Sequence, residues 1–495
     1  MRSCGYCQFT GYGDRIMGWS LPVIPKKNSA QQWSPWLCLL IVLLGFVLSL
    51  IIAVLDSPEN RFLSFSSGYW LPMILQTTIG CFTVVTFYTF WWEVQAFAVW
   101  RWNSWRHNTN LLWFRRAHKH HFVSFHCIIP ANSQLLPKIA GVSSDSIDEK
   151  PPLTLLPGEP LTPGISRFEQ LCRLLFVSIP QRLLDKHSGN LTVMLLTSSS
   201  EKEAEQRAFR RLWDSEKFSG LPYTLVLPKE FAFKDWNQCV STTCGNILVL
   251  AMHYRQPNES FPEFASVLLL KPSSLVKQGE YNFTPKIFHA MPLRGDAMES
   301  ELIEWRDMGQ QPSDQRYLVW HSGLNITVRQ ELSRVLNTLP LPLIDNIGVG
   351  GVVDFDKEFG VYKRLAGWLM IASACEMTRY GPATHLLLCE NENEGWAVTI
   401  GKSCPVISPQ LREFYLPPFP AGTVMMALLF SVSIFGLIAN CSPSIAFSWS
   451  GMVIFSFLLV VSFSFIAILT RNVISKLLYP RFVKAVREPK KERLE

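Results

Sequence analysis

Charge is scarce in this chain of 495 residues: 17% of them are Asp, Glu, Lys or Arg against 48% hydrophobic, a balance too apolar for an ordinary soluble protein. The deficit is local. Trp36 to Leu55 is 20 residues without a charge, Tyr69 to Trp92 is 24, and Tyr415 to Thr470 holds no Asp, Glu, Lys or Arg at all. A hydrocarbon core about 30 Å thick takes about 20 helical residues. The first two runs are therefore expected to span once each. The third is broken at Cys441, Ser442, Pro443 and Ser444 and spans twice, near Ala421–Asn440 and Trp449–Leu469. Other absences narrow the function. No small-residue cleavage site follows the first run, and 35 residues precede it, which argues against a signal peptide. Cys4 and Cys7 have no second CxxC pair and no thioredoxin-like strand after them, so they read as incidental rather than redox or zinc cysteines. No Gly-x-Ser-x-Gly surrounds Ser322, which argues against a hydrolase triad with His253 or His289.

The charge that is present lies on the flanks. Arg2, Arg15, Lys26 and Lys27 precede the first span, Arg101, Arg106, Arg115, Arg116 and Lys119 follow the second, and Arg471 to Arg493 carries eight Lys and Arg, whereas the first hairpin loop has only Arg61 and the second none. By the positive-inside rule both termini and the middle of the chain are expected in the cytoplasm, with the chain crossing the membrane several times. These flanks account for most of the net charge of +7, so no nucleic-acid partner is implied; the bilayer is the expected partner of the basic tail. Trp91, Trp92, Trp100, Trp102, Trp105 and Trp113, interleaved with arginines, read as an interfacial continuation of the second span. His118, His120, His121 and His126 lack the spacing and the carboxylate or Cys pair of a metal site.

This divides the chain into a cytoplasmic tail (1–35), a transmembrane hairpin (36–92), a basic aromatic juxtamembrane segment (93–131), a Pro-rich linker (132–164), an α/β domain (165–414), a second hairpin (415–470) and a basic tail (471–495). Within the α/β domain, Leu191–Thr197, Asn246–Tyr254, Ala265–Leu270, Tyr317–His321, His385–Cys389 and Trp396–Ile400 read as strands. Their order suggests a duplication: each half opens with a strand that passes through Ser or Gly into a helix (LLTSSSEKEAEQRAFRRLW and VWHSGLNITVRQELSRVLNTL) and closes with two strands joined by a polar link. Strands as continuously apolar as NILVLAMHY are expected to be buried on both faces.

Ile347 to Gly360 (IGVGGVVDFDKEFG) is the densest cluster of glycines and acids, ahead of an expected helix Val361–Arg379. Gly350 and Gly351 have the look of a phosphate loop, yet no GK[ST] follows and Asp354, Asp356 and Glu358 repel phosphate; a tight turn with an acid-capped helix is the competing reading. His321 sits at a strand end, where functional side chains are common. His321, Asp354, Asp356, Gly350 and Gly351 are the candidate functional residues, with no catalytic, cofactor or metal residue assigned. Cys239 and Cys244 stand too close to the strand from Asn246 for a helix to follow them, and Cys375 falls on an apolar helix face, so none is expected to be a nucleophile.

The two halves, and EFASVLLL at Glu263–Leu270 in particular, resemble the thiolase-like fold of ketoacyl synthases and thiolases. The resemblance implies a catalytic Cys at a helix start and two His, or His with Asn, from the other half, and this set is missing, as is the glycine-rich histidine motif. The phrases PGISRFEQLCR, LAMHYRQ, PEFASVLLL, VWHSGLN, IDNIGVGGVVDFDKEFG and LAGWLMIASACEM resemble an enterobacterial membrane protein family encoded near type VI secretion loci, and the α/β halves loosely resemble the adaptors that load lipase effectors. The resemblance implies a non-enzymatic inner-membrane scaffold or adaptor that binds a protein partner, a type VI component or effector, without a cofactor. The alternatives are a membrane-tethered acyl or thioester enzyme and an immunity protein.

Overall fold

The computed structural model describes residues 19, 22–55, 67–129, 135–140, 154–155, 164–180, 191–215, 218, 220–228, 236–237, 245–254, 261–272, 284–345, 347, 350–362, 365–391, 394–404 and 416–487. In chain order the helices are α1 (Pro35–Leu55), α2 (Ser67–Ala117), α3 (Leu135–Ile139), α4 (Arg167–Ser178), α5 (Lys202–Ser215), α6 (Met298–Met308), α7 (Ile326–Thr338), α8 (Phe355–Phe359), α9 (Ala366–Met377), α10 (Ala421–Cys441), α11 (Pro443–Ala446) and α12 (Trp449–Arg487). The strands are β1 (His120–Ile129), β2 (Leu191–Thr197), β3 (Tyr223–Val226), β4 (Asn246–His253), β5 (Phe264–Pro272), β6 (Lys286–Phe288), β7 (Met291–Leu293), β8 (Tyr317–Ser322), β9 (Val352–Asp354), β10 (Thr384–Asn391) and β11 (Glu394–Gly401). The chain separates into a helical unit (1–17, 22–112 and 408–495) and an α/β unit (18–21 and 113–407).

Among the described residues of the helical unit four helices are long and apolar enough to cross a membrane. Each hairpin makes its own polar contact: Ser49 Oγ meets Thr77 Oγ1 at 2.6 Å in the first, and Ser431 Oγ donates to Ser462 Oγ at 3.4 Å in the second. Other residues join the two pairs. The Thr423 N–H and hydroxyl donate to the buried Glu93 carboxylate at 2.7 and 2.6 Å, so an α2 side chain caps the first turn of α10. A Cβ on Gly422 would collide with the Phe90 backbone, which places α10 hard against α2 there. Trp102 and Trp105 pack on Phe482 of α12.

The tryptophan-rich stretch of α2 also binds the chain that precedes α1. Trp92, Trp102 and Arg106 donate to the carbonyls of Gln31, Pro25 and Ile24, and Asn103 exchanges two bonds with the Lys27 backbone. Trp102 and Trp105 are accordingly buried in protein rather than presented outward. The segment expected to be juxtamembrane, 93–131, ends differently too, because its histidines open strand β1 of the sheet.

The α/β unit is built on one mixed sheet of eleven described strands, in the order β3-β2-β4-β5-β1-β6-β11-β10-β8-β9 with β7 beside β11. Entered from either edge, the sheet repeats itself. β3 is parallel to β2, β2 to β4, and β4 is antiparallel to β5; β9 is parallel to β8, β8 to β10, and β10 is antiparallel to β11. The antiparallel strands β1 and β6 lie between the halves.

Both faces are covered, which is why the strands are almost uniformly apolar. On one side Leu196, Val249 and Leu268 from the first half and Trp320, Val353 and Leu387 from the second pack on α9. Every α9 residue except Glu376 is buried, and small Ala and Ser residues at 366, 372, 373 and 374 let a helix sit in so crowded a layer. It begins five residues later than the sequence suggests and ends two earlier. On the other side of the first half Val193, Leu250 and Val267 pack on α4 and α5. A capping box starts α4, where Ser166 accepts from the Glu169 N–H and Glu169 from the Ser166 N–H. In the second half Trp305 of α6 stacks edge-on against Tyr317 of β8 and donates to Thr399 of β11 at 2.9 Å.

Candidate functional site

Of the five residues singled out in the sequence, His321, Asp354 and Asp356 meet at the carboxyl ends of β8 and β9, whereas Gly350 and Gly351 lie at the amino end of β9. Parallel pairing sets His321 opposite Asp354, and side chains paired this way share a face. Gly350 and Gly351, at φ +59° and +80°, turn the chain into β9. At Gly351 a Cβ would press to 2.8 Å on the Ile344 carbonyl, while at Gly350 it would meet nothing, so both glycines serve the turn. Asp354 caps the short helix α8 by accepting from the Lys357 N–H at 3.2 Å, and its other oxygen accepts from Arg329 at 2.8 Å. Asp356 accepts from the Ser322 hydroxyl at 2.7 Å and from the Gly323 N–H at 2.8 Å. The acids are thus committed to local bonds, and among the described residues no group of three or more His, Cys, Asp or Glu gathers as a metal site.

His321 stands apart from this closed set. Its ring is buried and Nδ1 has no hydrogen-bond partner among the described residues. Burial, the largest influence, lowers its pKa, with Arg329 acting in the same sense and Asp354 and Asp356 opposing. The imidazole is therefore neutral near pH 7 and keeps a lone pair to accept a proton. Glu390, next along β10, also has a buried oxygen, Oε2, without a partner among the described residues. Gly323, at φ +73°, brings the β8 exit so close to Glu390 that a Cβ would strike its carbonyl. These two open polar atoms sit on adjoining strand ends.

The sequence reading missed Cys389, which register places beside Ser322 on the opposite face from His321. Its thiol accepts a backbone hydrogen bond from Gly367 in the first turn of α9, but burial above all, with Asp356 and Glu390, pushes its pKa up to about 12. The thiol stays protonated. A cysteine at a strand end was the available signal; the helix start it meets is 22 residues earlier in the chain and on no local motif. Cys375 is fully buried in α9 and its pKa is pushed well up by burial. Cys239, Cys244, Cys4 and Cys7 lie outside the described residues.

The matching end of the first half was also missed. There the Thr197 hydroxyl donates to Glu205 Oε2 at 2.6 Å, and Tyr254 donates to the other oxygen. Burial raises the Glu205 pKa, the two bonds opposing it, and burial first and Glu205 second raise that of Tyr254. Lys202 donates to the Pro228 carbonyl at 2.6 Å. Two histidines near the middle of the sheet are engaged: the His118 ring meets the Phe114 and Gly309 carbonyls at 2.9 and 2.8 Å, and His126 pairs with Glu376 of α9 at 2.6 Å.

No family model and no curated protein matches the chain. Solved structures do. One is a type II polyketide synthase acyl-carrier protein in complex with its ketosynthase bound to the hexaketide, 10% identical over 58% of this chain and all of that one, at a TM-score of 0.37. Others are a type III polyketide synthase domain from Dictyostelium (9% identity, 58% of this chain, 100% of that one, TM-score 0.33) and a cerulenin-bound OleA of Xanthomonas campestris (10%, 57%, 94%, 0.32). These neighbours are of the thiolase-like kind. They correct one expectation: a chain read as not an enzyme has condensing enzymes as its structural neighbours, and that reading is withdrawn. None of them links the chain to type VI secretion, to an adaptor or to the enterobacterial membrane family. No residue role is carried over from them.

Proposed function

We propose that this chain is a membrane-anchored enzyme acting on an acyl group held as a thioester or related ester, with its site at the open end of the second half. The observation that carries the site is the pair of buried, unpartnered polar atoms, His321 Nδ1 and Glu390 Oε2, on adjoining strand ends. Buried polar atoms are nearly always paired in a folded protein, and exceptions gather where a ligand completes them. His321 is the general base. It takes the proton from the attacking water, hydroxyl or thiol as that group bonds to the acyl carbon, and the thiol or alcohol leaves. Glu390 and Gly323 position the substrate at the strand edge, and Arg329 holds Asp354 in place behind the histidine. Cys389, protonated and buried, is not the nucleophile of this reading.

The four apolar helices support the anchoring, and the Lys and Arg flanks support an α/β unit and both termini on the cytoplasmic side. A reporter fused after Lys138 or at the C-terminus is expected to work only in its cytoplasmic form. For the activity, the full chain in mild detergent is incubated with a panel of acyl-coenzyme A thioesters and p-nitrophenyl acyl esters, and thiol or phenol release is followed. Turnover is expected to fall by about 10²–10⁴-fold in His321→Ala, the usual share of a general base, with unchanged melting behaviour. No turnover across the panel, or turnover that survives His321→Ala, would refute the proposal.

A further inference from the structure

Between α1 and α2 the helical unit holds a cavity of about 640 Å³. Helices in a bilayer pack through small residues, whose backbones then approach closely. The facing residues here are of that kind: Gly45, Ser49 and Ala53 on α1, Gly80 and Cys81 on α2. They touch at two points, since Ser49 meets Thr77 at 2.6 Å and a Cβ on Gly45 would run into the Cys81 sulfur. Beside these contacts the space stays open, and a Cβ on Gly80 would meet nothing within 4 Å. The space is a groove open along the outside of the helix pair, and its volume falls in the range of ligand pockets, about 300–1,000 Å³.

The lining specifies the occupant. Leu48, Ile52, Met73 and Val84 make it mostly apolar; of its polar residues Ser49 and Thr77 bond each other, and Gln76 is left, for whose amide no hydrogen bond is found among the described residues. An unpaired amide in hydrocarbon is costly, so the occupant brings it an acceptor. Six residues of helix separate Gln76 from Trp70, about 9 Å of rise, and helical side chains lean toward the N-terminus. That lean lifts the amide toward the level at which the ester carbonyls of a glycerolipid lie. The walls of the cavity are continuous with the outward apolar surface of the pair, where Leu44, Leu48 and Leu75 are exposed. A lipid chain enters from that side without leaving the bilayer.

We infer that the α1–α2 cavity is a binding site for one acyl chain of an ester-linked membrane glycerolipid, with the Gln76 amide donating to its ester carbonyl. This rests on the reading of the four helices as membrane-spanning, and not on the enzymatic reading. The test uses the full chain in vesicles of phosphatidylethanolamine and phosphatidylglycerol. A trace of phosphatidylethanolamine with a diazirine in one acyl chain is added, and the labelled peptides are mapped after irradiation. Label is expected to concentrate on peptides containing Leu48 and Met73, above those of the exposed α12 residues Phe457 and Val460. Gly80→Phe, which fills the cavity, is expected to lower the α1–α2 label about tenfold and leave the α12 label unchanged, as loss of one tenfold affinity step requires. Gln76→Leu, close in bulk and less disruptive, is expected to abolish the preference for this probe over an ether-linked one. Equal labelling of α12 and the cavity, insensitivity to Gly80→Phe, or crosslinking to a second copy of the chain would overturn the site. Absence of label on α12 as well would instead overturn the membrane reading.

Discussion

At the end of β2, Thr197 and Tyr254 both donate to one carboxylate, Glu205, and leave neither of its oxygens free. At the corresponding end of β8, Asp354 and Asp356 are equally engaged, yet His321 and Glu390 each keep a buried atom unpartnered. The strand pairing of the two halves is the same in order and sense, so the difference lies in a handful of side chains at the strand ends. A duplicated sheet permits this division. One half closes its polar end and braces the fold, while the other bears the cost of an open one, and both lean on the same central helix, α9.

The largest effect is expected from breaking what the halves share. Trp368 of α9 is buried and packs edge-on against Trp236 of the first half. Trp368→Ala should cost about 3–5 kcal/mol and lower the unfolding midpoint of the α/β unit as a single cooperative transition in a denaturant titration. Two separated transitions, with only the second half weakened, would mean that the halves are independent.

Acid should act on the halves with opposite sign. His385, in the second half, is fully buried, accepts from Trp320 Nε1 and faces the Pro382 carbonyl; burial lowers its pKa to about 3. A histidine depressed in the fold contributes stability that is complete above its ordinary value near 6.5 and is lost as pH falls toward 3. The loss is about 1.4 kcal/mol per pH unit over that window. His121 and His289, between the halves and lowered by burial to about 4 and about 3, add to the same slope. Stability measured from pH 7 to pH 4.5 should therefore fall, and His385→Gln should flatten the curve.

Asp356→Ala strips the acceptor from the Ser322 hydroxyl and the Gly323 N–H together. We expect a loss of about 1–3 kcal/mol in the melting of the α/β unit. Glu205→Gln is the smallest change. Because burial raises the Glu205 pKa, its protonated form is favoured in the fold, and its contribution is greatest at low pH and declines as pH rises through that raised value. The Gln variant should melt within about 1 kcal/mol of the parent at pH 7 and lose this gain on acidification. A larger penalty at pH 7 than that of Asp356→Ala would reverse the assignment of brace and site.

Much of the architecture was legible because apolar runs of strand length have few other uses. Leu191–Thr197 is read to the residue, and Asn246–Tyr254 and Tyr317–His321 each miss by one. The strand β1 was hidden because HHFVSFHCII follows a helix of tryptophans and arginines, where local composition signals an interface; only its pairing with β5 and β6 makes it a strand. The short strands β6, β7 and β9, three residues each, carry no period to detect. At the site, the cluster of His321 with Asp354 was visible as a strand end beside a glycine turn. The roles of Glu390 and Cys389 were not, because they depend on register across β8 and β10.

The cap that Glu93 places on α10 sets a schedule for biogenesis. The carboxylate and its partner Thr423 are 330 residues apart, and at about 5–20 residues per second a ribosome needs roughly 15–65 s to travel between them. Through that interval the nascent first hairpin ends in an acid with no partner yet made, while the whole α/β unit is synthesised. Closure of the helical unit is therefore among the last events of synthesis, and a chain released early leaves Glu93 with no helix to cap.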